Sequence, residues 1–371
     1  MTRRLRSIDA FRGAVLAFMV LTPATGDPAT YPFLRHAHWD GATASDLILP
    51  TFLVTSGLSL AFLLRAPVRR RTALRLVRRV VLLVVLGWAY NAYGTSGTDL
   101  GALRLTGVLQ LIGVSGFLAA ATALAVRRRD GSDRPWLVAG VAVALQVVHG
   151  IGLRALADRC AGVDTCSPFH PWDRAVLGEA HTYGAGVHAY DPEGLVVMVA
   201  ATSLVLIGWL VGRALAGAAP EGRGAVAARV AGAGAGLLAA AWVLDDIDPA
   251  NKRLLTPAFV CLAAGVALLA FSTFLVALDV VGARRERPLM TGLTWPLVAL
   301  GRNALVVYLL ERFLLQTAAT VDVGDRSMRR VVLDALPGTD TTRHLAYTVV
   351  LLALVGAVTA VLHRRRWYVA L

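Results

Sequence analysis

The sequence predicts an all-α polytopic membrane protein, a bundle of about ten transmembrane helices with both termini in the cytoplasm. The chain has 371 residues, of which 56% are hydrophobic and 16% are charged, and this composition is too apolar for a water-soluble protein. The apolar residues form separate runs of about 20, the length that a helix needs to cross a bilayer. Arginine clusters separate these runs. We therefore expect residues 1–371 to form a single transmembrane domain.

The apolar runs give ten candidate spans in chain order. Each is a largely apolar stretch close to the length required for crossing the hydrocarbon core, with charged or turn-forming residues at its ends. We place the spans at residues 8–23, 47–64, 73–93, 105–126, 136–156, 194–215, 226–244, 255–281, 296–317 and 345–362.

The arginine distribution predicts the orientation, because cations in short connections stay on the cytoplasmic side during insertion. Arginines cluster at 3–6, 65–71, 127–134, 213–223, 284–287 and 364–366, and the opposite connections hold most of the acidic residues. Lys252 is the only lysine, which is typical of high-GC bacteria, so we predict the bacterial inner (cytoplasmic) membrane. The net charge of +13 forms no basic face with interleaved aromatics, so nucleic-acid binding is not expected.

The longest predicted outer connection, residues 157–193, contains Cys160 and Cys166. An oxidising compartment would let these two thiols pair and close a small ring. Cys261 falls within a predicted span, where packing alone explains it.

Polar side chains concentrate in the first outer connection, residues 31–46. This segment holds His36, His38, Asp40 and Asp46. An imidazole can accept a proton from an attacking amine or hydroxyl, or can itself attack a thioester, and a carboxylate can orient it. His36 or His38 with Asp46 or Asp40 meets this requirement, so the segment is a candidate reaction centre.

Two other interpretations of the same segment stay open. Ser45 or Asp46 would be a good N-cap for the helix that begins at Leu47, in a loop that is otherwise merely solvated. A metal site is the other, but His36 and His38 are two residues apart and no third ligand has a recognisable spacing to them. We therefore expect no metal.

Polar residues also occur at the ends of, or within, other predicted spans. Asp9 and Arg12 share one helical face and could neutralise each other or anchor an anionic cofactor. Gln110 and Asn303 lie inside spans, where each needs an internal partner. Hydrogen bonds between helices account for them, and so does a polar cavity enclosed by the bundle.

Seven short motifs follow one another along the chain. They are SIDAFRG at 7–13, HAHWDG at 36–41, DLILP at 46–50, GVLQ at 107–110, YDPEG at 190–194, PANKRLLTP at 249–257 and GRNALVVY at 301–308. Any one motif alone is a weak signal, whereas their order along the whole chain is fairly specific. In this order they resemble the heparan-alpha-glucosaminide N-acetyltransferase family and its bacterial members, within the transmembrane acyltransferase superfamily.

This resemblance implies an enzyme that takes acetyl from cytosolic acetyl-CoA and delivers it to a sugar amine or hydroxyl on the far side of the membrane. In that family the catalytic histidine heads the His-Ala-x-Trp motif, which is His36 in this chain, and Asp46 matches the acid after the loop. Two positions depart from the family pattern. Thr22 or Thr25 stands near the place of a family Asn, and Glu311 stands where the animal enzyme has a histidine.

We assign catalysis to His36, Asp46 and Asn303, with His36 as base or as transient acyl carrier. Arg12, with residues 69–71 as further candidates, would hold the CoA phosphates while the pantetheine arm reaches towards His36. Gln110 and Asn303 could donate hydrogen bonds to the developing oxyanion. The residues assigned to the acetyl-CoA site are Ser7, Asp9, Arg12, Gln110, Asn251 and Lys252.

Two rival functions remain at this stage. A transporter or flippase for a glycan or a lipid-linked sugar would also need a polar multi-helix bundle, although the two halves of the chain show no convincing inverted repeat. A catalytically degenerate scaffold of the cell envelope is the other. The acceptor, the choice between N- and O-acylation and the oligomeric state stay open, and the animal relatives suggest a homodimer.

Overall fold

The structure, a computed structural model, describes residues 5–22, 31–65, 70–94, 100–282 and 288–369, with the backbone alone in 288–291. The described chain folds into helices joined by short turns and one small hairpin, β1 Asp322–Val323 and β2 Arg326–Ser327. The helices are α1 Arg6–Leu21, α2 Ile48–Leu63, α3 Arg70–Gly94, α4 Val108–Ala125, α5 Pro135–Ala155, α6 His170–Leu177, α7 Leu195–Gly217, α8 Arg223–Asp245, α9 Pro257–Leu275, α10 Pro288–Arg302, α11 Ala304–Thr320, α12 Met328–Ala335 and α13 Asp340–Arg364.

The architecture is that of an all-α, multi-pass membrane protein. The predicted number of ten spans is not confirmed: α1 has only 16 residues, and α3 carries arginines that reduce its apolar character. Within the described ranges, seven helical segments are long and apolar enough to cross a membrane, namely Ala44–Leu63, Val108–Ala125, Pro135–Ala155, Leu195–Gly217, Pro220–Asp245, Pro257–Val281 and Asp340–Arg364.

The ninth predicted span, residues 296–317, is not one continuous helix. It is divided between α10 and α11, which are bent by 77° relative to each other. The break lies at Asn303, whose φ of −114° and ψ of 34° are not helical. Its side-chain amide donates a hydrogen bond to the carbonyl oxygen of Ala299, which is how Asn competes with a continuous helical ladder. The sequence pattern of apolar residues continues across the break and therefore hid it.

Two glycines bring α1 and α10 into backbone contact. A methyl group on Gly13 would lie 1.8 Å from the carbonyl oxygen of Leu297, and one on Gly301 would lie 1.8 Å from that of Asp9. Helices in lipid associate through such close approach of small residues, since no hydrophobic force drives them together. Gly13 and Gly301 thus fix α1 against α10 at the level of Asp9 and Arg12.

The first turn of α1 is held by a carboxylate from another helix. Backbone N–H groups of Arg6 and Ser7 donate to Oδ1 and Oδ2 of Asp279, at 3.4 and 2.9 Å. Asp279 lies in Val276–Val281, the π-helical continuation of α9. The first N–H groups of a helix have no partner within the helix, so Asp279 caps α1 and ties it to α9.

The long connection between α5 and α7 is a folded segment containing α6. Cys160 and Cys166 form a disulfide with a Cα–Cα distance of 5.6 Å, the pairing that the sequence suggested. The backbone of Cys166 also forms an isolated β-bridge with that of Ala189. At the end of the segment, Asp173 Oδ1 accepts a hydrogen bond from the N–H of Leu195 at 2.8 Å, so α6 packs on the first turn of α7.

We expect Gly301→Ala to destabilise the protein, because its methyl group would overlap the Asp9 carbonyl oxygen and force α1 and α10 apart. Overpacking of this kind costs about 1–3 kcal/mol. The melting temperature of the purified protein, followed by size-exclusion chromatography after heating, should fall. Gly236→Ala in α8 is the matched control, since nothing lies within 4 Å of its added methyl group. Equal melting temperatures for the two variants would contradict the close packing.

Candidate functional site

A cavity of about 770 Å³ runs along α1, a volume typical of a small-molecule site. The α1 residues in its wall recur every three or four positions, which is one helical face. At 1.5 Å per residue, the stretch from residue 5 to residue 22 covers about 25 Å, close to the thickness of the hydrocarbon core. The wall residues of this stretch are Leu5, Ile8, Asp9, Arg12, Val15, Leu16, Met19 and Thr22.

The two ends of the cavity differ in chemistry. We call the end lined by Arg12, Arg79 and Arg302 the arginine end. The end lined by His36, Asp46 and Lys252 is the histidine end. The cavity therefore joins a cluster of cations at the first half of α1 to a histidine and a carboxylate beyond its last turn.

Asp46 is placed by a capping box at the start of the turn Ala44–Leu47, which leads into α2. Its Oδ2 atom accepts hydrogen bonds from the backbone N–H and the hydroxyl of Thr43 and from the N–H of Ala37, each at 3.0 Å. The sequence proposed Ser45 or Asp46 as the N-cap, whereas the structure has Thr43 at that position and Asp46 at position N3 of the capping box. The capping box uses only one carboxylate oxygen, so Oδ1 is available for another partner.

That partner is His36, so the structure brings together the two residues that the sequence paired. His36 Nδ1 lies 2.7 Å from Asp46 Oδ1. Asp46 is 1% exposed, and hydrogen-bond donors on both oxygens favour its ionised form. A carboxylate bonded to Nδ1 orients the imidazole and leaves Nε2 as the nitrogen that can react. His38, in contrast, is exposed and does not line the cavity.

Lys252 completes this cluster from a loop that precedes α9. Its Nζ atom lies 3.1 Å from His36 Nδ1 and 3.3 Å from Asp46 Oδ1. Burial lowers the pKa of the Lys252 ammonium, and the carboxylates of Asp46 and Glu193 partly offset that effect. The sequence assigned Lys252 to acetyl-CoA binding, whereas the structure places it at the histidine end.

Asn251, which is fully buried, connects two loops. One is the loop before α9 that carries Lys252, which we call the Lys252 loop, and the other carries His36 and Asp40 and is called the histidine loop. Its Nδ2 donates to Asp40 Oδ1 at 3.0 Å, and its Oδ1 accepts from the N–H groups of Arg253 and Leu254. The N–H of Gly41 donates a hydrogen bond to the carbonyl oxygen of Ala250, the residue before Asn251, at 2.7 Å. Asn251 does not line the cavity, so its contacts position the loop.

Aromatic and charged residues surround the histidine end. Tyr183 and Tyr190 line the cavity, and Trp39 packs edge-on against Tyr190 with ring centroids 5.1 Å apart. The Arg253 guanidinium lies 5.8 Å from the centroids of both Trp39 and Tyr190 and donates to the carbonyl of Ala37 at 2.9 Å. We call this part of the histidine end the mouth. It combines aromatic faces with fixed charge, which suits a polar ligand with some apolar surface.

An ion-pair network supports that mouth from the connections before α4 and α7. Arg104 Nη2 lies 2.6 Å from both Asp191 Oδ1 and Glu193 Oε2. Asp191 Oδ2 also accepts from the hydroxyl of Thr106 and the N–H of Tyr183, at 2.6 and 3.0 Å. The network fixes Glu193, which lines the cavity, and brings a carboxylate to the histidine end.

Three arginines line the arginine end. Arg12 on α1 donates to the hydroxyl of Ser59 and to the carbonyl of Thr55 on α2. The Arg79 guanidinium, on α3, has no hydrogen bond or ion pair with another described residue. Arg302 at the end of α10 lies 3.7 Å from the centroid of the Tyr368 ring. Arginines in such a cluster favour a ligand with several negative charges.

Polar groups also line the middle of the cavity. Gln110, on the first turn of α4, is 3% exposed, and its Nε2 has no hydrogen-bond partner among the described residues. Tyr308 and Arg312 of α11 also line the cavity, with Arg312 close to Tyr90 of α3. A buried amide donor directed at a cavity is available to a ligand oxygen.

The remaining predicted residues lie off the cavity or outside the described part. Asn303 and Ser7 are fully buried and do not line it. Thr22 does line it, but its hydroxyl donates to the carbonyl of Met19 at 2.6 Å. Thr25 and Arg69 fall outside the described residues. The sequence missed Arg79 and Arg302, although an arginine inside an otherwise apolar run is a recognisable signal of function.

Comparison with known proteins places this chain beside one family. Residues 4–155 match the family model described as heparan-alpha-glucosaminide N-acetyltransferase, catalytic. The human heparan-alpha-glucosaminide N-acetyltransferase is 26% identical over 261 residues, which cover 57% of this chain and 38% of the human protein. The mouse protein is 32% identical over 124 residues, 32% of this chain and 19% of its own length. The matches thus span less than half of either relative.

Asp173 predicts a pH dependence of stability. Burial raises its pKa to about 6, and neighbouring Asp191 acts in the same direction while the hydrogen bond from Leu195 opposes it. The folded state therefore holds a proton that the unfolded state releases near the ordinary value of 3.8. This contribution is fully present below that value and is lost as the pH rises through about 6.

We expect the melting temperature of the wild type to decrease between pH 5 and pH 8 by more than that of Asp173→Asn. Asn keeps an acceptor for the Leu195 N–H but does not titrate. Parallel melting profiles for the two proteins across this pH range would show that Asp173 does not bind the additional proton in the folded state.

Proposed function

We propose, from the relationship of this chain to the heparan-alpha-glucosaminide N-acetyltransferase family, that it is a membrane-embedded transferase that moves acetyl from acetyl-CoA to a sugar amine or hydroxyl on the other side of the membrane. The observation that carries the proposal is the cavity along α1, with arginines at one end and the His36–Asp46 pair at the other. Such a cavity lets a donor and an acceptor approach from opposite faces.

The arginine end would bind the phosphates of acetyl-CoA. Arg12, Arg79 and Arg302 are rigid planar donors suited to phosphate oxygens. In the proposed orientation both termini and the arginine end are cytoplasmic, in agreement with the distribution of arginines in the connections. The bacterial inner membrane is the proposed location. The thioester end of the donor would then extend along α1 towards His36.

His36 would act through Nε2, since Nδ1 is bonded to Asp46. As a general base, Nε2 would accept the proton of the acceptor amine or hydroxyl while the nitrogen or oxygen of the acceptor attacks the thioester carbonyl. Nε2 would then return that proton to the leaving thiolate of CoA. As an acyl carrier, Nε2 would itself attack the carbonyl, the C–S bond would break to release the CoA thiolate, and the acetyl group would then pass from Nε2 to the acceptor amine or hydroxyl. Radiolabelled acetyl-CoA added without acceptor separates the two routes, because only the second leaves label on the protein.

The oxyanion of either route needs hydrogen-bond donors in the cavity. Gln110 is the better placed of the two predicted donors, because its Nε2 lacks a partner among the described residues and its side chain lines the cavity. Asn303 does not line it. We therefore propose Gln110 for this role and a structural role for Asn303 at the break between α10 and α11.

The mouth at the histidine end would receive the acceptor. Tyr183 and Tyr190 offer ring faces to the apolar side of a sugar, and the Glu193 carboxylate would attract the ammonium form of an amino sugar. A sugar hydroxyl would use the same ring faces without this charge attraction. These contacts support a carbohydrate acceptor and leave N- and O-acylation as alternatives that an acceptor panel separates.

One observation favours a second candidate, a transporter of a glycan or a lipid-linked sugar. The bend of 77° between α10 and α11 resembles the broken helices that line substrate sites in transporters. A transporter would move an unmodified sugar across the membrane without consuming acetyl-CoA. Thiol release from acetyl-CoA therefore distinguishes the two functions directly.

We expect His36→Ala to reduce acetyl transfer from acetyl-CoA to glucosamine by about 100-fold or more, because loss of a general base removes that much rate. Thiol release and acetylated sugar would both be measured on purified protein in detergent. His38→Ala is the matched control: it removes an exposed imidazole of the same loop and should retain activity. Equal activity of the two variants would reject His36 as the reacting residue.

We expect Arg79→Gln to raise the KM for acetyl-CoA by about tenfold, since a lost hydrogen bond to a charged group is worth about 1.5–3 kcal/mol. The KM for S-acetylpantetheine, which lacks the nucleotide phosphates, should not change. Arg78→Gln on the exposed side of α3 is the control. An equal rise for both donors, or no rise at all, would contradict phosphate binding at the arginine end.

A further inference from the structure

The chain folds back on itself after α13, and we call residues 366–369 the tail. The N–H of Arg366 donates to the carbonyl oxygen of His363 at 3.1 Å, and the N–H of Trp367 donates to that of Leu362 at 2.9 Å. These two hydrogen bonds form a Schellman motif, which ends a helix and changes the direction of the chain. The tail therefore does not continue along the axis of α13.

The turn at the start of the tail uses a residue that does not favour it. Arg366 has a φ of 57°, in the left-handed region, where this motif usually has glycine because a Cβ atom is strained there. Such a conformation persists when the surrounding contacts determine it, and residues of this kind cluster at functional sites. The contacts that hold the tail are made by its last two residues.

Tyr368 and Val369 bring the tail onto the arginine end of the cavity. The centroid of the Tyr368 ring lies 3.7 Å from the guanidinium carbon of Arg302. The same ring packs edge-on against His363, with ring centroids 5.7 Å apart. Val369 lines the cavity itself. The tail thus forms part of the cavity wall beside the arginine at the end of α10.

Aromatic contacts also fix the end of α13 on α10. Trp295 of α10 packs edge-on against His363 with ring centroids 5.4 Å apart, and the Arg364 guanidinium lies 5.5 Å from the centroid of the Trp295 ring. Trp295 precedes Arg302 by seven residues, about two helical turns, so both side chains lie on the same side of α10. The tail and the helix end that carries it are therefore packed against the helix that carries Arg302.

The Tyr368 ring is the contact that fixes the Arg302 guanidinium. Among the described residues, Arg302 has no ion pair, and its buried Nε atom has no hydrogen-bond partner. An aromatic ring stacked on a guanidinium fixes its plane and leaves the N–H groups, which lie in that plane, available to an anion. A guanidinium fixed in advance binds an anion more tightly, because less side-chain freedom is lost on binding.

We propose that the tail is part of the donor-binding site, in which Tyr368 is a positioning residue that holds the Arg302 guanidinium in the cavity wall for the phosphates of acetyl-CoA. Ser59 and Thr55 of α2 give Arg12 a comparable support at the same end of the cavity. The nature of the anion rests on the proposed function, whereas the contact of Tyr368 with Arg302 does not.

The first test measures the reactivity of Arg302 and needs no enzyme activity. Phenylglyoxal, which modifies guanidinium groups, would be added to the purified protein in detergent without substrates, and modified peptides would be quantified by mass spectrometry. We expect Arg302 to react about fivefold faster in Tyr368→Leu than in the wild type, because the ring no longer covers the guanidinium. Tyr368→Phe keeps the ring and should react like the wild type. Arg326 of the exposed hairpin is the internal reference.

The second test measures donor binding by steady-state kinetics. In Tyr368→Leu the KM for acetyl-CoA should rise about fivefold with kcat unchanged, since the contact acts on binding and not on the reacting atoms. The KM for S-acetylpantetheine, which lacks the nucleotide phosphates, should not change, and Tyr368→Phe should keep the wild-type KM. Trp367→Leu is the matched control, because it removes a neighbouring ring that is 60% exposed and lies against Arg365. It should leave both measurements at their wild-type values.

The outcomes separate the proposal from the function on which it rests. An unchanged reactivity of Arg302 in Tyr368→Leu, or an equal change in Trp367→Leu, overturns the positioning role. A faster reaction with an unchanged KM for acetyl-CoA overturns the assignment of the tail to the donor site. If Tyr368→Leu does not fold, Tyr368→Gln carries the same test. If the wild type transfers no acetyl group but Arg302 still reacts faster in the variant, the proposed function fails and the positioning of Arg302 by Tyr368 stands.

Discussion

The Asp46 carboxylate is a charge that burial would penalise by several kcal/mol if it were unpaired. Its partners come from two parts of the chain: Ala37 and Thr43 from the connection before α2, and Lys252 from the loop before α9. The interactions that compensate this buried charge therefore also fix these two segments relative to each other. The position of His36 depends on all of them, because the ring is held at the oxygen that the cap leaves available.

α1 connects this centre to the rest of the molecule because two of its faces make different contacts. The face that carries Gly13 meets the backbone of α10, so a side chain at position 13 would overlap the Leu297 carbonyl oxygen. The other face lines the cavity over the whole helix. Asp279 caps the first turn, which prevents fraying where Arg12 and Asp9 lie. Close packing on one side thus keeps the wall of the cavity rigid on the other, a condition for precise placement of a long ligand.

Patterns of neighbouring residues in the sequence predicted most of the helices and the pairing of His36 with Asp46. The helices follow the apolar runs, and His36 and Asp46 could be paired because they are ten residues apart in a single short connection. Lys252 could not be placed beside them, since 216 residues separate it from His36 and only the packing of α8 and α9 against the bundle brings it there. The break at Asn303 was missed because hydropathy records composition and not backbone angles. Arg79 lies inside the predicted span at 73–93 beside Arg75 and Arg78, so composition alone did not distinguish it from its neighbours.

The two halves of the chain contribute unequally to the two ends of the cavity. Residues 4–155, which match the family model, supply His36, Asp46 and Gln110 together with Arg12 and Arg79. Tyr190, Glu193 and Lys252 come from the part beyond that match. His36, Asp46 and two of the three arginines therefore lie in the region that matches the family model, whereas much of the lining around the histidine end is built by the other region. Under the proposed function, changes to Tyr190 or Glu193 would alter which acceptor binds before they alter the chemistry at His36, because neither side chain contacts the His36–Asp46 pair.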